Sequence, residues 1–394
     1  MKDDQDQSLP VPDAASAAHS NAVKDHLVAM IQSAGGSISF AEFMHAVLYA
    51  PGLGYYSAGA TKFGEAGDFT TAPEVSSVFG RVLAGQCADV MTNIASPSIL
   101  EFGAGSGKLA ADILQKLAQI DALPERYEIL EVSADLVERQ RSYLAEQVPD
   151  FFERVSWLDK LPQEFCGVVI ANEVLDALPV ERFARRGSRI TQLAVAVERD
   201  QFVLTEREPP DVLLAAVADV ERDLGQQLPD AYVSEICLAA PTWIADLAAI
   251  LSEGVAFLFD YGVSRREYYA ADRSDGWLRC HFRHHAHNNP LILPGIQDIT
   301  CWVDFSSVAA AATAHGLEIE GFVTQAHFLL NGGLEKELAD FDKLPHVAQM
   351  QLSGQVKVLT LPGEMGENFK CLGLSRGTHG VITSLAMADR THSL

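Results

Sequence analysis

The chain has 394 residues, 48% of them hydrophobic, enough for one large core with length left over for a second, smaller domain or a sizeable insertion. Its 53 acidic against 29 basic residues give a formal net charge of −24, a field that repels phosphate backbones and anionic lipids, argues against nucleic acid, and favours a small molecule or a cationic protein segment as partner. Six cysteines without a Cys-x-x-Cys pair, no charge-free apolar run of about 18 residues and an acidic start exclude a zinc ribbon, a membrane span and a basic leader, leaving a cytoplasmic protein as the expectation.

Residues 1–20 are polar, rich in Ala and Ser, and read as a disordered lead-in. From Asn21 the apolar residues Val23, Leu27, Met30 and Ile31 recur on one helical face until Gly35-Gly36. Ser39 and Glu42 stand at capping-box spacing ahead of Phe43, Val47 and Leu48, and Pro51-Gly52 closes this second helix. Residues 52–73 are too rich in Gly, Thr and Pro for a regular element; a loop of that length in a compact domain is a candidate lid, with a solvated connector as the plainer alternative. The span 21–85 is therefore expected to cap a ligand.

A helix over 76–91 leads into alternating strands and helices. Strands are expected at 98–102, 127–132, 153–157, 167–171 and 255–259, with helices at 107–119, 134–147, 177–183 and 242–251. That rhythm predicts an α/β fold, a parallel sheet with helices on both faces. Residues 189–205 break it with two β-rich stretches around Glu198-Arg199-Asp200, the pattern of an inserted hairpin. Late strands at 318–324 and 369–375 complete the sheet, so the core spans 86–261 and 317–390 and is interrupted by an insertion at 262–316.

After the first of those strands comes Glu101-Phe102-Gly103-Ala104-Gly105-Ser106-Gly107-Lys108, and then a helix. Glycines there give a tight turn of bare backbone, and the helix N-terminus offers free N–H groups to an oxygen-rich ligand. A P-loop needs Gly where Phe102 stands and Ser or Thr where Leu109 stands, so that reading fails. A dinucleotide fingerprint needs Gly at Lys108, which weakens that reading. What remains resembles motif I of Rossmann-like methyltransferases. Glu131 ends the next strand, where a carboxylate can accept both hydroxyls of a ribose; a structural glycine turn with a surface Glu is the alternative. The candidate S-adenosylmethionine residues are Asp68, Phe69, Thr71, Glu101, Gly103, Ala104, Gly105, Gly107, Glu131, Val132, Trp157 and Asn172.

The strand at 167–171 runs into Asn172-Glu173-Val174-Leu175-Asp176-Ala177-Leu178-Pro179, at the edge where open parallel sheets bind ligands. Two carboxylates within four residues suit a guanidinium or ammonium, bidentate if it is arginine. Arginine stays protonated at working pH, so a base beside it must take up a proton as nitrogen is methylated. Asn172, Glu173 and Asp176 are the candidate catalytic residues; capping of a following helix is the plainer role for the two acids.

These segments, with Asp260-Tyr261-Gly262, Leu278-Arg279-Cys280-His281, Gly295-Ile296-Gln297-Asp298-Ile299-Thr300, Val303-Asp304-Phe305 and Gly363-Glu364-Met365-Gly366-Glu367-Asn368-Phe369-Lys370, identify a resemblance to the MidA family across most of the chain. The resemblance implies a Rossmann-like methyltransferase core, S-adenosyl-L-methionine as cofactor and, from mitochondrial members that include a complex I assembly factor, an arginine in a respiratory NADH dehydrogenase subunit as acceptor. Two alternatives stay open: a small-molecule methyltransferase, and an assembly chaperone without turnover. Candidate substrate residues are Glu74, His281, Arg283, Gln297 and Asp298; the histidines at 281–287 with Arg279 and Arg283 are expected to line a substrate entrance or pair with the acidic surface, with Asp298 and Asp304 on the opposite wall. His281, His284, His285 and His287 crowd one loop, yet no Cys or carboxylate stands at zinc-ligand spacing, and no metal is expected.

Overall fold

The computed structural model describes residues 9–57, 70–377 and 382–394. The chain separates into two units, one of Thr71–Asp176, Ala239–Tyr268 and Trp302–Leu394, the other of Met1–Thr70, Ala177–Leu238 and Tyr269–Cys301.

The first unit is built on β1 (Ser98–Phe102), β2 (Tyr127–Leu130), β3 (Val155–Leu158), β4 (Phe165–Asn172), β5 (Leu251–Val263), β6 (Glu318–Thr324) and β7 (Phe369–Arg376). Their order in the sheet is β6-β7-β5-β4-β1-β2-β3. Neighbours from β5 across to β3 are parallel, whereas β7 runs antiparallel to both β5 and β6. Val168, Val169, Ile170 and Ala171 of β4 are all buried, the near-continuous apolar pattern of a strand covered on both faces. The connecting helices are α1 (Ser77–Met91), α2 (Lys108–Gln119), α3 (Ala134–Gln147) and α4 (Ala239–Ile250). From β1 the chain winds outward to β2 and β3, then returns to β4 on the other side of β1. That reversal puts a topological switch point at the carboxyl ends of β1 and β4.

All seven expected strands lie in this one sheet. Two glycines let its centre close: at Gly167, φ is +135°, and a Cβ would stand 2.0 Å from the Ser98 carbonyl oxygen, while one on Gly254 would stand 1.9 Å from the oxygen of Gly167.

The second unit holds an antiparallel sheet of Ser37–Ser39, Glu181–Arg186, Arg189–Glu198, Gln201–Arg207 and Val233–Ile236, and a three-stranded sheet of Leu278–Phe282, His285–His287 and Asp298–Cys301. The hairpin stands where expected: Glu198 pairs with Gln201 across Arg199 and Asp200, both in the left-handed region. The capping box at Ser39 and Glu42 forms and starts the helix Phe40–Tyr49.

Three expectations are corrected by the fold. Residues 14–20 are not a lead-in; Asp13 accepts from the Ser16 amide at 2.9 Å and caps a helix, Ala14–Ser33. No helix forms over 177–183. Pro179 disfavours a helical Leu178, and Glu181–Arg186 instead pairs as a strand with Arg189–Glu198. The interruption does not follow 262–316 either: Tyr269–Cys301 groups with the antiparallel sheet, while 302–316, carrying the helix Phe305–Ala314, groups with the parallel one. No helix among the described residues is long and apolar enough to cross a membrane.

Candidate functional site

Immediately after β1, Gly103, Gly105 and Gly107 take φ of +62°, +56° and +84°, so the backbone turns sharply and hands over to α2 with Gly107 as N-cap. The Gly103 amide donates to the Leu130 carbonyl at 3.0 Å and the Gly107 amide to Ala104 at 2.8 Å, which ties the turn to the end of β2 and to itself. A Cβ on Gly103 would meet only the Val174 side chain, at 3.7 Å, so the glycine turn lies against the turn at the end of β4. Ser106 donates its hydroxyl to Glu74, bringing that acid to the glycine turn, on a short helix, Ala72–Val75, that begins after Thr71.

Glu131 stands one residue beyond β2. One carboxylate oxygen accepts from the Ser133 amide at 3.0 Å and the other from the Gln140 side-chain amide at 3.0 Å. Gln140 is fully buried; the same Nε2 donates to the Gly105 carbonyl at 3.0 Å, and its Oε1 accepts from the Trp157 indole at 2.9 Å. Arg141 stacks 4.3 Å over the Trp157 ring, and Val132 is 77% exposed. Glu101 is buried on β1 beneath the turn and accepts from the Tyr127 hydroxyl at 2.8 Å; burial pushes its carboxyl up to about 7. A carboxylate fixed from behind, beside a turn of bare backbone and a helix N-terminus, is the donor and acceptor set that a ribose diol and an amino-acid zwitterion require.

At the end of β4, Glu173 adopts φ +55°, and its amide donates to the Phe259 carbonyl at 2.9 Å. Asn172 donates to the Glu173 carboxylate at 3.2 Å. Asp260, at the end of β5 and fully buried, organises the turn beyond Glu173: Oδ2 accepts from the amides of Leu175 at 2.9 Å and Asp176 at 3.1 Å, and Oδ1 from that of Tyr261 at 2.9 Å. The Tyr261 hydroxyl donates to the Asp176 carboxylate, and its ring meets Phe369 and Trp302 edge-on, at 5.3 and 6.1 Å between centroids. Burial, and then the neighbouring charges of Asp176 and Glu173, push the Asp260 carboxyl well above its ordinary range. The next element is a strand and not a helix, so the capping role for these acids falls.

The structure thus brings Glu74, Glu101, Gly103–Gly107, Glu131, Trp157, Asn172, Glu173 and Asp176 onto one unit around its switch point. His281, Arg283, Gln297 and Asp298 belong to the other unit. Arg283 sits on a hairpin turn and pairs with Asp13 at 2.5 Å, the buried Gln297 amide donates to the Pro290 carbonyl at 3.0 Å, and buried Asp298 accepts from Tyr56 at 3.0 Å. Asp304 caps the helix Phe305–Ala314 and pairs with Arg265 at 3.0 Å. Asp68 and Phe69 lie outside the described residues. Among the described residues no group of three or more His, Cys, Asp or Glu could hold a metal ion.

Two residues were given no role by the sequence reading: Gln140, and Asp260, which entered only within the segment Asp260-Tyr261-Gly262. Asp260 closes a buried apolar strand, and a carboxylate in that position was the available signal. Gln140 interrupts the stripe of buried Leu136 and Leu144 on α3 at core spacing, where a polar residue needs partners.

Comparison with known proteins bears on this site. A family model described as S-adenosyl-L-methionine-dependent methyltransferase matches residues 82–323. The chain is 33% identical to the mitochondrial protein arginine methyltransferase NDUFAF7 of Mus musculus, covering 89% of this chain and 83% of that one. Identity to the Homo sapiens protein of the same name is 30%, covering 89% and 82%. A structure from Burkholderia thailandensis, solved bound to S-adenosyl-homocysteine, is 40% identical with a TM-score of 0.93, covering 98% of this chain and all of that one. The expectation of a cytoplasmic protein is corrected by the mitochondrial relatives, whose names give that compartment. Scattered cysteines report a reducing environment, not which reducing compartment.

Proposed function

Because the chain belongs to the MidA family of S-adenosyl-L-methionine-dependent methyltransferases and has their Rossmann-like core, we propose that it methylates arginine in a protein partner, a subunit of the respiratory NADH dehydrogenase by family resemblance. In this reading Gly103, Ala104, Gly105 and Gly107 hold the methionine end of the cofactor, Glu131 takes the ribose, and Val132 and Trp157 flank the nucleoside, with Thr71 and Glu74 beside the glycine turn. Bound there, S-adenosylmethionine supplies an electrophilic methyl group on a sulfonium.

What this chain contributes is orientation and a proton acceptor. The observation that carries the reading is the gathering of Glu173, Asp176 and Asp260 at the carboxyl ends of β4 and β5 beside the glycine turn. Glu173, half-buried and held by Asn172, accepts from the guanidinium and receives its proton. Asp176, held by Tyr261, adds a second carboxylate suited to a planar cation. The names of the relatives support a protein arginine as acceptor.

The test is transfer of labelled methyl groups from the cofactor into lysate proteins. Label in arginine is expected with the wild type, and Glu173→Gln should slow turnover by about a hundredfold or more while S-adenosyl-homocysteine still binds. Label confined to small molecules would sink the arginine reading.

A further inference from the structure

We infer that Gln140 is the positioning residue of the cofactor site, setting Glu131 and the Gly105 carbonyl through one buried amide. The inference rests on the proposed role of Glu131 as the ribose acid. An indole N–H can only donate, so the amide oxygen of Gln140 must be the atom that faces Trp157, at 2.9 Å. Its NH2 group is thereby turned toward the Gly105 carbonyl and the Glu131 carboxylate, both at 3.0 Å and both acceptors. Rotating the amide by half a turn would break all three contacts at once and set oxygen against oxygen, so its orientation is determined.

Three segments meet at this one side chain: the glycine turn after β1, the acid after β2, and β3 through Trp157. Gln140 is fully buried, so water does not compete for these contacts. A leucine, like Leu136 and Leu144 before and after it on the same stripe, would serve packing alone. The amide adds a donor directed at Glu131, which fixes that carboxylate in direction, ready to accept from a diol. Gln140 does this from behind and does not itself touch the cofactor.

Binding of S-adenosyl-homocysteine by calorimetry tests this without turnover, since the ligand keeps the ribose and amino acid but has no methyl group to give. Gln140→Met keeps length and apolar bulk but leaves three polar partners without it; binding is expected to weaken about tenfold when measured well below the variant's own, lowered melting temperature. Gln140→Glu keeps the shape and the contact to Trp157 but sets a carboxylate against two acceptors. It should bind about a hundredfold more weakly at about pH 8 and regain most of that by about pH 6, because the protonated carboxyl restores one donor. Trp157→Phe keeps a ring and removes the N–H that orients the amide, and a severalfold loss is expected; because Trp157 also flanks the nucleoside, the pH-dependent recovery of Gln140→Glu carries the test if Gln140→Met does not fold. Affinity within about twofold of the wild type in Gln140→Glu at about pH 8, or a loss there that ignores pH and matches Gln140→Met, would overturn the inference. Failure of the wild type itself to bind would instead overturn the assignment of the cofactor site.

Discussion

Glu101 sits in the sheet with its carboxyl raised by burial from 4.5 to about 7, the Tyr127 hydroxyl opposing the shift only in part. A raised acid binds its proton more tightly folded than unfolded, so the stability it brings is complete below about pH 4.5 and is lost as pH climbs to about 7, a change of about 3 kcal/mol. Glu101→Gln removes this titration. In urea unfolding the variant is expected to gain about 2 to 3 kcal/mol on the wild type between about pH 5 and about pH 8, and a constant difference would mean that the acid is charged in the fold without penalty. At this scale the sequence was informative on which residues gather at the switch point: the glycines of the turn, the acid after β2, the acids after β4. It was silent on the roles of Gln140 and Asp260, because those depend on which backbone and side-chain groups come within about 3 Å of them, and those groups lie on other elements.

Gly167 decides how closely β4 lies against β1. A side chain there would stand 2.0 Å from the Ser98 carbonyl, with φ in a region that L-residues avoid. Gly167→Ala is expected to destabilise by about 3 kcal/mol or more and to lower the melting temperature sharply, whereas Gly85→Ala, where a Cβ meets nothing within 4 Å in the middle of α1, should leave it unchanged or raise it. Element by element, the parallel strands were legible because each is a short apolar run bounded by turn residues. The stretch at 177–183 was misread as helical because its residues also fit a helix; 181–186 is a strand through its hairpin with Arg189–Glu198 and its pairing with Val233–Ile236, the latter a contact outside any local window. The start of the first helix at Ala14 was missed for a similar reason: the Ala and Ser that suggested disorder are good helix formers and caps once Asp13 supplies the first acceptor.

For the molecule as a whole, a net charge of −24 bears on association. If the acceptor is an arginine in a basic segment, long-range attraction raises the rate of encounter, and salt removes it. The KM for a basic arginine peptide should rise severalfold between about 50 and about 500 mM NaCl, while the affinity for zwitterionic, net-neutral S-adenosyl-homocysteine changes by less than about twofold. Equal salt dependence of the two would show that the charge plays no part in recognising the acceptor.

β7 lies between β5 and β6 although it is the last of the seven strands in the chain. Until residue 376 has left the ribosome, β5 therefore offers an unpaired edge made of Val255, Phe257, Leu258 and Phe259, side chains that are buried once the sheet closes. Such an edge is a template for other strands. Until that strand is in place, a chain that already carries the candidate methyl-transfer residues lacks its finished sheet and is open to pairing along that edge.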